Sequence, residues 1–302
     1  MTARFSILFL APAVVAAGPY APAPPQAATT AISKDDSRFV AWASGYWSPT
    51  YGPNVDATWK TPDKALGKAK GDSYDIVCLG DNGSITMWFP HPIRDEAGAD
   101  FAVFENSFSA TFLELGFVEV SSDGVNFFRF PTASLTASAV GGFGNVDPTN
   151  IDGFAGKYQQ GYGTPFDLAS VADSPNLDKQ HVRFVRIVDV IGNGTAKDSS
   201  NRSIYDPYPT TGSGGFDLDA IGVIHQNIQP EAIVSTVAGG AVQLRWQSNP
   251  GSSYRVETSV DLSIWIPLET NPGPAAAGLA TRTYPFVSGE KARYWRVVRI
   301  DP

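Results

Sequence analysis

The chain has 302 residues, of which 30 are acidic and 22 basic, and its formal net charge is −8. This balance argues against nucleic acid and anionic lipid as partners, because neither would find a positive surface to bind. The single cysteine, Cys78, excludes an internal disulfide, and the apolar run "YDIVCLG" around it predicts a buried thiol.

The first 17 residues combine an early arginine with an apolar run and small residues before Ala17. We interpret residues 1–17 as a secretory signal peptide, since Pro12 and Pro19 interrupt the run before it reaches the roughly twenty apolar residues of a membrane span. No later segment is apolar enough to cross a bilayer. Residues 18–31, rich in proline and alanine, are predicted to form an extended, solvated linker. An exported protein without disulfides is typical of bacteria, so we expect a secreted, cell-surface or periplasmic location.

From residue 32 the chain alternates short runs of β-branched and aromatic residues with turns rich in glycine and proline. This pattern predicts an all-β structure, since helices need about ten or more residues of unbroken 3.6 periodicity. The expected strands are 84–89, 100–106, 112–120, 126–130, 182–190 and 216–224. We assign residues 32–226 to one large domain.

Asp217 and Asp219 lie two positions apart in the last of these strands, "FDLDAIGVI". In a regular strand both carboxylates point to the same face, so their charges need compensation. One explanation is a structural Ca²⁺, because Glu105 and Asn106 end the strand "DFAVFEN" and would add the oxygen ligands that calcium prefers. The sequence then predicts a metal site of Glu105, Asn106, Asp217 and Asp219.

The alternative explanation for the two aspartates needs no metal. One carboxylate would accept backbone N–H groups from the turn "TGSGG" before the strand. The other would pair with Arg183 or Arg186. Both explanations remain open at the level of the sequence.

Aromatic residues are concentrated in the predicted loops. Tyr46, Trp47 and Tyr51 lie in "GYWSPTYGPN", and Tyr158 and Tyr162 lie in "GKYQQGYGTP". Aromatic rings beside asparagine, aspartate and glutamine suit stacking against sugar rings, which makes these five residues candidate ligand contacts. The alternative is that they cap the ends of the sandwich with their own side chains.

The polar, proline-containing segment 225–232 marks a change of pattern. About six short strands follow within residues 232–302, the size and spacing of a small immunoglobulin or fibronectin type III sandwich. The pattern V-E-x-S-x-D-x-x-x-aromatic occurs in both parts of the chain, at 118–127 and 256–265. It predicts a hairpin in which the aspartate side chain folds the turn and the aromatic residue lies on the returning strand.

Catalytic patterns are weak. "GDS" and "DKQH" resemble the serine and histidine blocks of lipases of the SGNH type, but Ser73 lies in a polar turn and His181 leads into a strand. Glu114 and Glu119 have opposite parity in one predicted strand, so they face opposite sides and do not form a glycosidase pair. We assign no catalytic residue.

Seven blocks occur in order between about residues 35 and 226: "LGDNGSITMWF", "GADFAVFEN", "FLELGFVEVSSDGVNFFRFP", "DPTNIDGFAGKY", "GYGTPFDL", "VRFVRIVDV" and "DPYPTTGSGGFDLDAIGV". A domain with these blocks resembles a largely uncharacterised family of exported bacterial cell-surface proteins that often carry a PEP-CTERM sorting tail. "VSSDGVNFF" and "VRFVRIV" also resemble parts of discoidin-type, galactose-binding-like jelly rolls. "YRVETSVDLSIWIPLE" and "RYWRVV" look like the small sandwich modules appended to such proteins.

Together these observations predict an all-β protein: a jelly-roll-type β-sandwich with long loops, followed by a small Ig/FnIII-like β-sandwich. The predicted function is non-catalytic binding of a glycan or another surface polymer outside the cell. Two alternatives are a secreted hydrolase acting on polysaccharide and a purely structural or adhesion component. The cofactor considered is structural Ca²⁺.

Overall fold

The computed structural model describes residues 17–227, 233–237, 241–248, 253–272, 278–285 and 293–300. The fold is all-β, as predicted: the described residues form short strands joined by loops and a few turns of 3-10 helix. The chain divides into two compact units, residues 1–226 and 227–302. Apart from Ala17, the predicted signal peptide lies outside the described residues.

The strands of the first unit pair in antiparallel fashion. They are β1 (Ile32–Ser33), β2 (Ala41–Trp42), β3 (Gly45–Thr50), β4 (Val77–Cys78), β5 (Ser84–Ile93), β6 (Phe101–Glu105), β7 (Gly116–Ser121), β8 (Phe128–Arg129), β9 (Ala133–Ser134), β10 (Ile151–Asp152), β11 (Tyr162–Phe166), β12 (Val182–Asp189) and β13 (Asp217–Val223). The 3-10 helices are Ala57–Trp59, Pro62–Ala65, Pro148–Asn150 and Leu168–Ser170.

The two main sheets have the strand order of a jelly roll. One is β1–β11–β6–β13–β2, with β4 also paired to β13, and the other is β3–β5–β12–β7–β8. The late strand β13 lies between β6 and the pair β2 and β4, while β12 lies between β5 and β7. From β2 to β7 successive strands therefore alternate between the sheets, and β11, β12 and β13 then return beside these earlier strands, which is the double Greek key of a jelly roll. The predicted jelly-roll-type sandwich is confirmed.

The core lies between the two sheets. Ile85 and Met87 of β5 and Val185 and Ile187 of β12 pack in one cluster with Ile221 and other residues of β13. The outer face of β6 and β13 is also covered, because Phe104 and Ala220 pack with Phe39 and Trp42 from the segment before β3. Every residue of β13 is buried, including its two aspartates, so those carboxylates need partners inside the protein.

The segment from Ala17 to Ala31 lies against the first unit. The Gly18 N–H donates to Thr149 Oγ1 at 2.7 Å, and the Thr30 hydroxyl contacts the Tyr158 hydroxyl at 2.7 Å. Ala23 is buried. These contacts correct the prediction of an extended, solvated linker, because the segment packs against the first unit instead.

The second unit contains β14 (Ile233–Val237), β15 (Ala241–Ser248), β16 (Ser253–Ser259), β17 (Ile266–Pro272), β18 (Gly278–Pro285) and β19 (Tyr294–Arg299). They form two antiparallel sheets, β14–β15–β18 and β17–β16–β19. Trp246 of β15, Tyr254 of β16 and Val297 of β19 belong to one core cluster that joins the sheets. The unit is a small all-β sandwich, as predicted.

The same hairpin occurs in both units. The Asp123 carboxylate accepts the N–H groups of Val125 and Asn126, both at 2.8 Å. In the second unit the Asp261 carboxylate accepts those of Ser263 and Ile264 at 2.8 and 2.9 Å. The predicted turn, folded by an aspartate side chain, is thus confirmed in both places.

Each hairpin also carries a glutamate held by arginines. Arg186 bonds Glu119 from the neighbouring strand and stacks over Phe127, and Arg296 does the same with Glu257 and Trp265. The glutamates and aromatic residues belong to the ten-residue pattern, but the arginines come from β12 and β19, so the pattern alone does not predict these contacts. They show how this chain stabilises buried glutamates.

None of the helices in the described part of the chain is long and apolar enough to cross a membrane.

Candidate functional site: an aromatic cleft above buried carboxylates

A cleft opens at the end of the jelly roll where β6 ends and β7 and β13 begin. Its volume is about 340 Å³, which is within the range of small-ligand sites. The loops before β4, between β6 and β7, between β9 and β10, and before β13 line it together with Trp59. The residues used below are Trp59, Ser73, Tyr74, Asn106, Phe108, Phe112, Glu114, Phe143, Thr211, Ser213 and Asp217.

Aromatic rings from three loops and a 3-10 helix line this cleft. Phe112 stacks on Phe108, with 4.8 Å between ring centroids and 19° between planes, and on Phe143 at 6.3 Å and 23°. Trp59 and Tyr74 form a second stacked pair at 6.5 Å and 20°. Phe143 is 91 % exposed, and Phe108 and Tyr74 are also exposed. Exposed, mutually stacked rings beside a cavity present flat apolar faces to a ligand.

Polar groups lie deeper in the same cleft. The Asn106 side-chain amide donates to Asp217 Oδ2 at 3.0 Å, and the Gly215 N–H donates to Glu114 Oε1 at 2.5 Å. Both carboxyl groups are almost fully buried although their residues line the cleft. The cleft thus combines apolar walls with a carboxyl-rich floor.

We call Glu105, Glu114 and Asp217 the acidic cluster. Burial raises the pKa of Glu105 well above its usual range, and the charges of Glu114 and Asp217 raise it further. Burial likewise raises the pKa of Glu114, followed by the charge of Asp217. Burial raises the pKa of Asp217 to about 7, while the Cys78 thiol and the Asn106 amide lower it. A carboxyl group that still holds a proton near neutral pH is therefore present in the cleft.

Further buried carboxylates continue beneath the acidic cluster. Asp189 accepts the N–H groups of Phe216 at 2.7 Å and Asn82 at 3.0 Å. Asp206 accepts the Leu115 N–H at 2.8 Å through Oδ2. The charges of both aspartates raise the pKa of Glu114, so the acidic cluster lies in a negative part of the interior.

The predicted metal residues divide into two sets. Asn106 and Asp217 are in contact, and the charges of Glu105 and Asp217 interact. Asp219 instead accepts the N–H groups of Lys70 at 2.9 Å and Gly71 at 2.8 Å. Burial raises its pKa to about 6, these two hydrogen bonds lower it, and Asp72 and Asp75 raise it. Asp219 belongs to a different environment from the acidic cluster.

A β-bulge separates the two aspartates. Leu218 pairs with Glu105 and Ala220 with Phe104, so Asp219 is an extra residue opposite β6. A bulge breaks the alternation of side chains, which corrects the expectation of a regular strand face shared by Asp217 and Asp219. The alternative explanation is also wrong about the partners. Arg186 bonds Glu119 and Arg183 donates to the Pro90 carbonyl, while the "TGSGG" turn donates to Glu114 through Gly215.

The predicted aromatic contacts of the first loop lie in and after β3. Trp47 is 56 % exposed and stacks on Phe184, with ring centroids 5.1 Å apart. Tyr46 and Tyr51 are half-buried and pack against the core. Only Trp47 of these three offers a broad ring surface.

The other two predicted contacts also lie away from the cleft lining. Tyr158 is 1 % exposed, and its hydroxyl contacts Thr30. Tyr162 belongs to β11, where it pairs with Ser33. Tyr158 therefore caps the fold, as the alternative interpretation proposed, and its ring offers no face to a ligand.

The serine and histidine of the lipase-like pattern are far apart. Ser73 donates to Gln160 at 3.0 Å and lines the cleft. His181 bonds Asp178 at the start of β12, whose eight residues span roughly 25 Å toward Asp189. They do not form a catalytic pair.

A second acidic group lies elsewhere in the first unit. Asp95, Asp100 and Asp167 have ligand atoms within 4.8 Å of one another, and no other such group of three carboxylates occurs among the described residues. Both Asp100 oxygens already accept hydrogen bonds, from the Glu96 N–H and His225 on one side and the Leu168 N–H on the other. These bonds account for the burial of Asp100 without a ligand.

Sequence reasoning missed Glu114 and the rings of Phe108, Phe112 and Phe143. Glu114 lies before β7 rather than in one strand with Glu119, so the parity argument does not apply to it; it lines the cleft, whereas Glu119 within β7 bonds Arg129 and Arg186. The available signal was "FENSFSATFLE", in which two phenylalanines stand in a polar loop between two glutamates. Apolar rings in a loop have no core of their own, so they mark either a cap or a ligand surface.

The comparisons with known proteins do not identify a family for this chain. No family model matches the chain, and no curated protein matches it. Among solved structures, a β-1,2-glucanase from Parabacteroides distasonis is similar at 11 % identity and a TM-score of 0.27, over 86 % of this chain and 34 % of that one. The chain spans about a third of the length of that glucanase. A TM-score this low does not establish a shared fold.

Proposed function

We propose that the first unit binds a carbohydrate in the cleft. The observation that carries this proposal is the pairing of exposed stacked rings with a floor of hydrogen-bonding groups. Sugar rings present apolar C–H faces that pack on aromatic rings, and their hydroxyls both donate and accept hydrogen bonds. Asn106, Thr211 and Ser213 line the cleft beside the carboxyl groups, so donors and acceptors are both available.

The test is binding of a panel of soluble polysaccharides and oligosaccharides to the full chain by calorimetry. We expect Phe143→Ala and Tyr74→Ala each to weaken binding by about 1–3 kcal/mol, the scale of a lost aromatic contact. Trp47→Ala is the matched control, since Trp47 is an exposed ring outside the cleft. Loss of binding in Trp47→Ala alone would move the site to the outer face of β3, and absence of binding to any glycan would favour the structural or adhesion role.

A second candidate function is hydrolysis of the bound carbohydrate. The observation that favours it is the presence of Glu114 and Asp217 in the cleft, with pKa values raised by burial. Glycosidases need one carboxyl that is protonated near neutral pH and a second carboxyl beside the same bond. Release of reducing ends from the polysaccharide that binds best distinguishes the two functions. A hydrolase loses turnover in Glu114→Gln while retaining ligand binding, and a binding protein shows no turnover in the wild type.

We also propose that the protein acts outside the cell, at the surface of a bacterium. Support comes from the sequence of residues 1–17, with its apolar run and small residues before the cleavage point. Mass spectrometry of the protein recovered from a bacterial host expressing the full chain tests this. An N-terminus at Gly18 in the exported fraction is expected, and an intact N-terminus in the cytoplasm contradicts it.

A further inference from the structure

The acidic cluster contains buried oxygen atoms without partners. Glu105 is 1 % and Asp217 3 % exposed. Glu105 Oε2 accepts the Ser107 N–H at 2.8 Å, but Glu105 Oε1 and Asp217 Oδ1 have no hydrogen-bond partner. Buried carboxyl oxygens are normally satisfied, because a missing partner leaves the cost of desolvation uncompensated.

No positive charge compensates this cluster among the described residues. The groups that donate to it are the backbone amides of Asn106, Ser107 and Gly215 and the Asn106 side chain, while the Cys78 thiol donates to the Gly214 carbonyl. Elsewhere the same chain pairs a buried glutamate with two arginines: Glu119 with Arg129 and Arg186, and Glu257 with Arg255 and Arg296. The acidic cluster is therefore built differently from the ion-paired glutamates of this protein.

We propose that the acidic cluster is a binding site for a hard divalent cation, in the first instance Ca²⁺, with Glu105 and Asp217 as its carboxylate ligands and Glu114 as a neighbouring negative charge. The two oxygens without partners supply vacant ligand positions, and the negative surroundings attract a cation. Calcium fits better than magnesium, because it tolerates irregular arrangements of oxygen ligands. This site goes beyond the proposed carbohydrate binding and does not depend on it.

The cation would enter from the cleft. Glu114 and Asp217 line the cleft, whereas Glu105 lies behind them. The oxygens of the three carboxylates do not all lie within 4.8 Å of one another. Glu105 and Asp217, which carry the oxygens without partners, are therefore the ligands, and Glu114 contributes negative charge beside them. The group of Asp95, Asp100 and Asp167 has less need of an ion, because Asp100 already has donors on both oxygens.

The experiment compares the full chain after treatment with a chelator and after addition of CaCl₂. In wild type, calorimetric titration with CaCl₂ alone should show saturable binding, and at about 100 times the dissociation constant the melting temperature of the first unit should rise by about 5–10 °C. Glu105→Gln and Asp217→Asn should each abolish this rise. In chelator both variants should melt at or above the temperature of wild type, because one of the repelling charges is gone.

Asp95→Asn is the matched control and should keep the full calcium response. The proposal is overturned if wild type shows neither heat nor a melting shift, or if the response survives in both cluster variants and disappears in Asp95→Asn. A further measurement on wild type tests the site even if the variants do not fold. Terbium bound in the cluster should emit light on excitation of Trp59 and Tyr74, which line the same cleft, and CaCl₂ should quench it. Absence of this emission, or emission that persists in Trp59→Phe/Tyr74→Phe, would count against the site.

Discussion

Asp219 shows how one carboxylate can organise a loop from within a strand. It is the extra residue of the β13 bulge, and its two oxygens accept the N–H groups of Lys70 and Gly71. Gly71 has a φ of +69°, a region that glycine adopts without steric cost. The bulge thus fixes the loop that leads to Ser73 and Tyr74 of the cleft.

We expect Asp219→Ala to destabilise the first unit by about 1–3 kcal/mol, because two backbone donors lose their acceptor. Asp219→Asn keeps one acceptor oxygen and should cost less. Urea unfolding of both variants measures the difference. Equal losses in the two variants would show that the charge of Asp219, rather than its acceptor atoms, holds the loop.

Asp206 predicts a pH dependence of stability. Burial raises the pKa of its carboxyl well above the usual 3.8, and the charge of Asp189 raises it further. Between 3.8 and the raised value the folded state binds more protons than the unfolded state. The free energy of unfolding therefore falls as the pH rises through this window. Asp206→Asn should flatten this dependence and be more stable than wild type at neutral pH.

The measurement is urea unfolding in calcium-free buffer at several pH values between about 2 and 8, so that the range also covers the loss of the Asp198 contribution below pH 3.8. Asp198→Asn is the matched control with the opposite sign. Burial raises the pKa of Asp198, but the hydrogen bonds from Ser134 and Arg202 lower it by more than burial raises it, so the net shift is downward. Asp198 therefore stabilises the fold above its unfolded pKa, and this stability is lost as the pH falls. Parallel pH profiles for wild type and Asp206→Asn would contradict the assignment.

Among the elements, the N-terminal segment contributes more than its composition predicts. Gly18 and Tyr20 donate to Thr149, and Thr30 contacts Tyr158. We expect a chain starting at Ile32 to melt about 5–10 °C below one starting at Gly18, since about three hydrogen bonds are lost. Tyr158→Phe removes only the contact with Thr30 and should give a smaller decrease. Identical melting of the two chains would mean that the segment adds nothing to stability.

The paired hairpins allow a matched test of turn geometry. Gly124 in the first and Leu262 in the second hairpin occupy the same position, with φ of +76° and +63°. A leucine in this region is strained, so Leu262→Gly should stabilise the second unit by about 1 kcal/mol. Gly124→Ala should destabilise the first unit, because its Cβ would also lie 3.2 Å from atoms of Trp47 and Phe184. Thermal melting of the two units checks both signs.

An element could be predicted from the sequence when the interactions that form it lie close together along the chain. The strands around residues 84–89 and 182–190 and both hairpins could be predicted, because alternation and turn chemistry act within about ten residues. The bulge at Asp219 could not, since it depends on pairing with β6 more than a hundred residues earlier. The cleft was missed for the same reason: Phe143 and Phe112 come from separate loops, and no local pattern places them together.

At the scale of the whole molecule, each unit has its own core. The first is centred on β5, β12 and β13, and the second on Trp246, Tyr254 and Val297. We expect residues 18–227 expressed alone to give a protein that melts cooperatively, at the temperature of the first transition of the full chain. A molten or aggregated fragment would show that the second unit is needed for the first to fold.

The position of β13 has a consequence for how the molecule matures. This strand comes last in the sequence of the first unit, yet it lies in the middle of its sheet, between β6 and the pair β2 and β4. A chain that has been synthesised only as far as residue 216 cannot complete that sheet, and it lacks Asp217 in the floor of the cleft. Contacts between such distant parts of a chain form slowly, because a long loop must close first. The floor of the cleft is thereby completed only once β13 has been synthesised and paired.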